Sequence, residues 1–161
     1  MDYVACFRPN KELLNLILKQ DNIVSSTLGF HATLCFFHMD SEQEKNLICD
    51  LSKIKITPFK TKTQSFEYFH NNILVLTLSR PDELFQLHKN IVQVVRNYAS
   101  SDFDEMEKQF SGDNYKPHIT ISRSTLNFNK TNELLNQESF ISEYYLFKKV
   151  DGVWKEIKSF N

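Results

Sequence analysis

"GFHATLCFFH", residues 29–38, sets a histidine and a threonine two positions apart inside a run of apolar residues. A β-strand sends residues i and i+2 to one face, so His31 and Thr33 stand side by side while Ala32 and Leu34 face the other way. A single His-x-Thr of this kind is ordinarily a packed histidine whose ring nitrogens are satisfied by hydrogen bonds. A second copy weakens that reading. "HITIS", residues 118–122, repeats the pattern with His118 and Thr120 on one face and Ile119 and Ile121 on the other. Two of the five histidines thus carry threonine at +2 in a chain with nine threonines in 161 residues. Chance would give this only about a few per cent of the time.

The elements around the two stretches match as well. "DYVACFRP" (2–9) reads as a strand ended by Pro9, and "NKELLNLILKQ" (10–20) has helical spacing of Leu13, Leu14, Ile17 and Leu18. The His31 strand (31–37) follows. In the second half "NILVLTLS" reads as a strand, "DELFQLHKNIVQVVRNYA" (82–99) after Pro81 as a helix, and the His118 strand comes next. Strand, helix, His-x-Thr strand therefore occurs twice. The expected fold is α+β: a single domain over 1–161, with two pseudo-symmetric β-sheet lobes, helices outside and a central groove.

Between and beyond these units, Asp40 or Ser41 is placed to cap a helix through 42–53. "IKITPF" and "TKTQSFEYF" read as strands, with "HNN" (70–72) as a turn. A short helix is expected around 129–136, then a closing hairpin around Asp151-Gly152. Residues 100–116, polar and acidic, read as a long loop and as the segment best placed to act as a lid or contact substrate.

Composition narrows the function classes. Formal net charge is −1, so the broad basic footprint of a protein tracking long nucleic acids is missing. The three cysteines (Cys6, Cys35, Cys49) have no metal-ligand spacing and indicate a reducing compartment. The start does not resemble a signal peptide, and no apolar run reaches membrane-spanning length. A cytoplasmic monomer with no membrane partner is expected.

The paired motifs carry the chemistry. If the lobes face one another, two histidines divide acid and base roles near neutral pH. Two hydroxyls between them donate to the non-bridging oxygens of a phosphate. A zinc hydrolase fits poorly: His31 and His38 are seven apart, and no His-x-x-x-His occurs. The "DFDEME" run fits no calcium loop. No metal and no cofactor are expected.

With these residues in view, the chain resembles the 2H phosphoesterases, a family named for two His-x-Thr/Ser motifs, over essentially its whole length. "YVACFRP" is similar to the family's first strand, "HATL" to its first motif and "YKPHITISR" to its second. The resemblance implies a bilobal α+β domain and metal-free phosphodiester chemistry. His31 and His118 would be the acid–base pair, and Thr33 and Thr120 the phosphate-binding hydroxyls. RNA-ligase-like bacterial members often follow the first motif with Leu-Gly, where this chain has Phe37-His38. The family's substrates include 2′,3′-cyclic phosphate ends of RNA or nucleotides. They also include 2′,5′-oligoadenylates, cut by viral antagonists of host immunity, and cyclic oligonucleotide signals. A short oligonucleotide or cyclic nucleotide is the expected partner here, with no long nucleic acid; a nucleotide-binding relative without activity is the rival class.

Three further residues are candidate substrate contacts. Arg123 matches the family's arginine, but strict alternation from His118 turns it away from the groove, which favours a structural salt bridge. Tyr3 and Tyr115 could stack on a base, with ordinary aromatic packing as the competing reading. Cys35 shares the parity of His31 and is read as core.

Overall fold

A computed structural model describes the chain except residues 21, 22, 24, 25, 70, 71, 111–113 and 124–130 and the side chains of 106 and 110. Its frame is one eight-stranded antiparallel sheet with helices on one face. The strands are β1 (Asp2–Phe7), β2 (Ala32–His38), β3 (Phe59–Phe69), β4 (Ile73–Leu78), β5 (His118–Ser122), β6 (Glu138–Ile141), β7 (Tyr144–Val150) and β8 (Val153–Phe160). Their order is β6-β3-β4-β5-β2-β1-β7-β8. The two His-x-Thr strands are therefore neighbours at the middle of one continuous sheet, β5 ending one run of four strands and β2 beginning the other. The halves meet at a single paired position, Ala32 opposite Ile119.

Helices α1 (Lys11–Leu18), α2 (Glu44–Leu51) and α3 (Asp82–Val95) cover one face. Asn10 starts α1 by accepting from the Leu13 amide at 3.0 Å, which satisfies one of the first-turn donors that have no partner inside the helix. Leu13 and Ile17, Leu47 and Leu51, and Leu84, Leu87, Ile91 and Val95 are buried against Ala32, Leu34, Leu74, Leu76, Ile119 and Ile121. These are the helical and strand periods read from the sequence, locked together by one apolar core. The closing hairpin turns at Asp151 (φ 52°) and Gly152 (φ 78°), two left-handed residues whose twist suits a two-residue turn.

The structure corrects three element assignments. Residues 54–58 are not a strand: Ile54 and Ile56 pack on the core without a ladder, and pairing begins only after Pro58. The first arm expected for the closing hairpin, "SFISEYYLFKKV" (139–150), breaks at Ser142 and Glu143 between β6, which pairs with β3, and β7, which pairs with β1 and β8. Residues 100–116 are not a loop throughout, because Phe103–Phe110 forms a helix, α4. Asp104 and Glu105 suit its first turn and Lys108 its last. Phe103 is buried, and Arg96 holds Asp104 and Glu107 at 3.1 and 2.7 Å. The short helix near 129–136 is a 3₁₀ turn at Asn132–Leu134, and 129–130 lie outside the described residues, as does most of the "HNN" turn.

Candidate active site

The single pair Ala32↔Ile119 sets the geometry of the four motif side chains. In an antiparallel pair, extending that register by one residue each way puts His31 opposite Thr120 and Thr33 opposite His118. Each histidine thus faces the other motif's threonine across the middle of the sheet, about 4.5–5.5 Å between Cβ atoms in such a pair. All four are half-buried on the face that carries no helices, while Ala32, Leu34, Ile119 and Ile121 go to the core.

The two rings are held in the same way. His31 Nδ1 lies 2.8 Å from the Gly29 carbonyl, and His118 Nδ1 lies 2.8 Å from the Lys116 carbonyl. A carbonyl only accepts, so Nδ1 carries the proton in each neutral ring and Nε2 keeps the lone pair. Burial lowers both pKa values, and the carbonyl bonds partly offset this. Their surroundings differ beyond that. The charged neighbours of His31 are all cationic (His118 when protonated, Arg123 and Arg8), and each disfavours its charged form. His118 has Lys116 working the same way, but Glu67 opposes it.

Both strands depart from alternation directly after the threonine. Across from β1, Ala5 pairs with Cys35 and Cys6 with Thr33, so Leu34 is unmatched. Across from β4, Val75 pairs with Thr120 and Leu74 with Ser122, so Ile121 is unmatched. Each is a β-bulge three residues past its histidine, and each buries two consecutive residues, Leu34-Cys35 and Ile121-Ser122. The next residue returns to the groove face: Phe36 in β2 and, at the corresponding position, Arg123 just past β5. Parity after the motifs is therefore inverted. Arg123 is exposed and its charge reaches His31, so the outward orientation expected of it is wrong; no ion pair holds it among the described residues. Cys35 is core, as expected, but because the bulge turns it inward; burial pushes its thiol far up.

The two tyrosines take other places than a base platform. Tyr3 is fully buried, its ring stacks on Phe37 at 5.5 Å, and its hydroxyl donates to Glu44 Oε2 at 2.9 Å. Lys148 closes that network 2.9 Å from the same oxygen. Tyr115 is buried as well, and its hydroxyl donates to the Thr33 carbonyl at 3.1 Å. His88 lies face to face with Tyr115 at 3.9 Å and donates from Nδ1 to the Leu34 carbonyl at 2.7 Å. These two side chains take the carbonyls on either side of the bulge.

Several residues at the site carried no signal in the sequence. Phe69 packs against His118 at 4.7 Å between ring centres, and Lys116 pairs with Glu67 at 2.5 Å. Arg8 lies over the rings of Tyr145 and Phe147 at 4.8 and 5.1 Å and pairs with Glu156. Only the motif "YKPHITISR" could have pointed to Lys116. Beside Thr33 and His118 a cavity of about 490 Å³ opens, walled by β2, His88, α4 and residues 114–116. The 100–116 segment thus does border the site, as a helix wall. Among the described residues, no three His, Cys, Asp or Glu side chains come together as a metal cluster would.

A paired His-x-Thr site at the centre of such a sheet defines a 2H phosphoesterase. The family model for the 2′-5′ RNA ligase superfamily matches residues 27–137, 111 of the 161, and the chain belongs to that 2H phosphoesterase superfamily. TT0787 of Thermus thermophilus superposes with a TM-score of 0.73 at 17% identity, covering 99% of this chain and 97% of that one. E. coli LigT in complex with 3′-AMP gives a TM-score of 0.71 at 16% identity, with 98% and 95% covered. Kluyveromyces marxianus Usb1 gives 0.52 at 10% identity, with 96% of each chain covered. At these identities the likeness establishes the fold. No curated protein matches the chain. Membership of the superfamily implies phosphoesterase activity.

Proposed function

We propose that the protein is a metal-independent phosphodiesterase that cleaves short 2′,5′-linked or cyclic oligonucleotides and leaves a 2′,3′-cyclic phosphate. The observation that carries this reading is the crossed arrangement of the motifs, with two identically tethered histidines and a threonine facing each. His31, surrounded by cations, is the ring kept neutral, and its Nε2 takes the proton from the ribose hydroxyl next to the scissile phosphate. That oxygen bonds to phosphorus as the bond to the leaving ribose oxygen breaks. His118, beside Glu67, enters protonated and gives its Nε2 proton to that leaving oxygen. Thr33 and Thr120 donate to the non-bridging oxygens, and Arg123 and Arg8 add positive charge near them.

Complexes of E. coli LigT with 3′-AMP, ATP and NADP⁺ support a small-nucleotide ligand. The near-neutral charge supports short over long substrates. The 3′-AMP complex also favours a second reading, hydrolysis of 2′,3′-cyclic ends, in which water replaces the ribose hydroxyl. The experiment is a panel of 2′,5′-oligoadenylates, cyclic oligonucleotides and 2′,3′-cyclic nucleotides, with products identified by mass spectrometry. A His31→Ala and a His118→Ala protein serve as blanks, each expected to lose about 10²–10⁴-fold. Wild-type turnover by either variant refutes the assignment.

A further inference from the structure

Arg8 stands directly across from His31. Phe7 pairs with Ala32, and the next residue outward on each strand continues that register, since Pro9 keeps the residue before it extended. The guanidinium does not stay over the motif residues. It lies on the rings of Tyr145 and Phe147, on the groove face of β7. β7 is two strands from β2, so the charge sits about two strand spacings, roughly 10 Å, to the side of His31. Val4, Cys6, Leu28 and Trp154 pack with those rings into a small second core, which fixes the shelf beneath the guanidinium.

Other arginines spend their donors on the protein: Arg96 on Asp104 and Glu107, Arg80 on the Tyr115 carbonyl. Arg8 makes no hydrogen bond among the described residues. Glu156 faces it at 3.5 Å in an ion pair whose two members are both open to water. Such a pair contributes about 0–1 kcal/mol, so it yields to a better acceptor. Glu143 lies against the Tyr145 hydroxyl instead. A guanidinium held on two rings, with its fork of N–H donors uncommitted, is preorganised for a bidentate anion such as phosphate.

We propose that Arg8 forms a second phosphate site, which recognises the phosphate on the 5′ oxygen of the attacking nucleoside, so that the preferred substrate is an oligonucleotide phosphorylated at that position. The inference rests on the phosphodiesterase reading for which ribose stands at His31: the attacking ribose there carries its next phosphate on the 5′ oxygen, one nucleotide from the scissile one. A terminal phosphate monoester and an inner phosphodiester present the same non-bridging oxygens to the fork.

Matched ligands test the site without requiring turnover. Adenosine 2′-monophosphate is compared with adenosine 2′,5′-bisphosphate, and adenosine 3′-monophosphate with adenosine 3′,5′-bisphosphate, by titration calorimetry on the full chain. The bisphosphate of at least one pair binds about 10- to 100-fold more tightly, as expected for hydrogen bonds between charged groups. Arg8→Gln narrows that gap to within about threefold, and Glu156→Gln, which removes the competing carboxylate, widens it. Lys149→Gln, which removes the cation beside Trp154 on the same face, leaves it intact. Cleavage separates the two phosphate sources. A 5′-phosphate on 2′,5′-linked diadenylate raises kcat/KM about 10-fold or more. A triadenylate cut at its second linkage as fast as that dimer assigns the site to an inner diester as well; slower cutting assigns it to a terminal monoester. Equal binding within both pairs, or a gap that Arg8→Gln leaves intact, overturns the proposal. Cleavage that ignores the 5′-phosphate removes the subsite and leaves the phosphodiesterase reading standing. A bisphosphate gap that depends on Arg8, in a protein that cleaves none of these substrates, does the reverse.

Discussion

Tyr115→Phe removes a single oxygen and tests whether the bulge after the first motif positions Thr33. The hydroxyl donates to the Thr33 carbonyl at 3.1 Å from a side chain that is 7% exposed, so water cannot readily replace it. Losing such a bond and leaving a buried carbonyl unpaired costs about 2 kcal/mol. For a chain of this size that lowers Tm by about 4–8 °C, measured by calorimetry at pH 7.5. The ring remains stacked on His88, so no cavity forms. Turnover falls as well, because the backbone carrying Thr33 relaxes, but by less than in Thr33→Ala. The latter removes the donor itself and loses about 10²–10³-fold. A double-mutant cycle separates the two effects. If Tyr115 acts on catalysis through Thr33, adding Tyr115→Phe to Thr33→Ala lowers Tm again but leaves kcat unchanged. Rate losses that multiply in the double variant refute the link, and an unchanged Tm in the single variant refutes the hydrogen-bond argument.

Three other outcomes follow from the site. Activity traces a bell-shaped pH profile; Glu67→Gln removes the one anion that favours protonated His118 and moves the basic limb to lower pH, whereas Arg123→Ala raises the His31 pKa and moves the acidic limb to higher pH. His31, His88 and His118 all have folded-state pKa values below 6.5, so the unfolded chain binds more protons and stability falls as pH drops through and below about 6.5; Tm measured from pH 7.5 to 5.5 declines, and a flat curve contradicts the burial of these rings. Methylating the attacking ribose hydroxyl blocks cleavage, and binding of short substrates changes little between 50 and 200 mM salt, about the range over which long polyanion binders lose orders of magnitude.

The legible parts of this protein were those governed by local period. His31, Thr33, His118 and Thr120 share a face because strands alternate, and α1 and α3 follow from apolar spacing. Both rest on interactions within a few residues of one another. Strict alternation stops holding past each bulge, where the faces invert, and Arg123 is the residue whose expected side changes with it. The contacts on the Leu34 bulge come from far away in sequence: His88 is 54 residues from Leu34, and Tyr115 is 82 residues from Thr33. No window along the chain contains both ends of either bond. The same distance explains Arg123, whose side depends on the bulge at Ile121, and Tyr3, whose partner Glu44 lies 41 residues on. Helix α4 was missed for a related reason. It is eight residues long, and shorter helices gain little from propensity alone, so Arg96 and the burial of Phe103 stabilise it through contacts outside its own sequence. The inverted parity has a chemical consequence. A strictly alternating β2 would put Cys35 on the groove face; the bulge instead buries that thiol and brings Phe36 there, while its counterpart in β5 brings the Arg123 charge towards His31. Two extra residues thus separate a site built from histidines and threonines from one that would expose a thiol beside them.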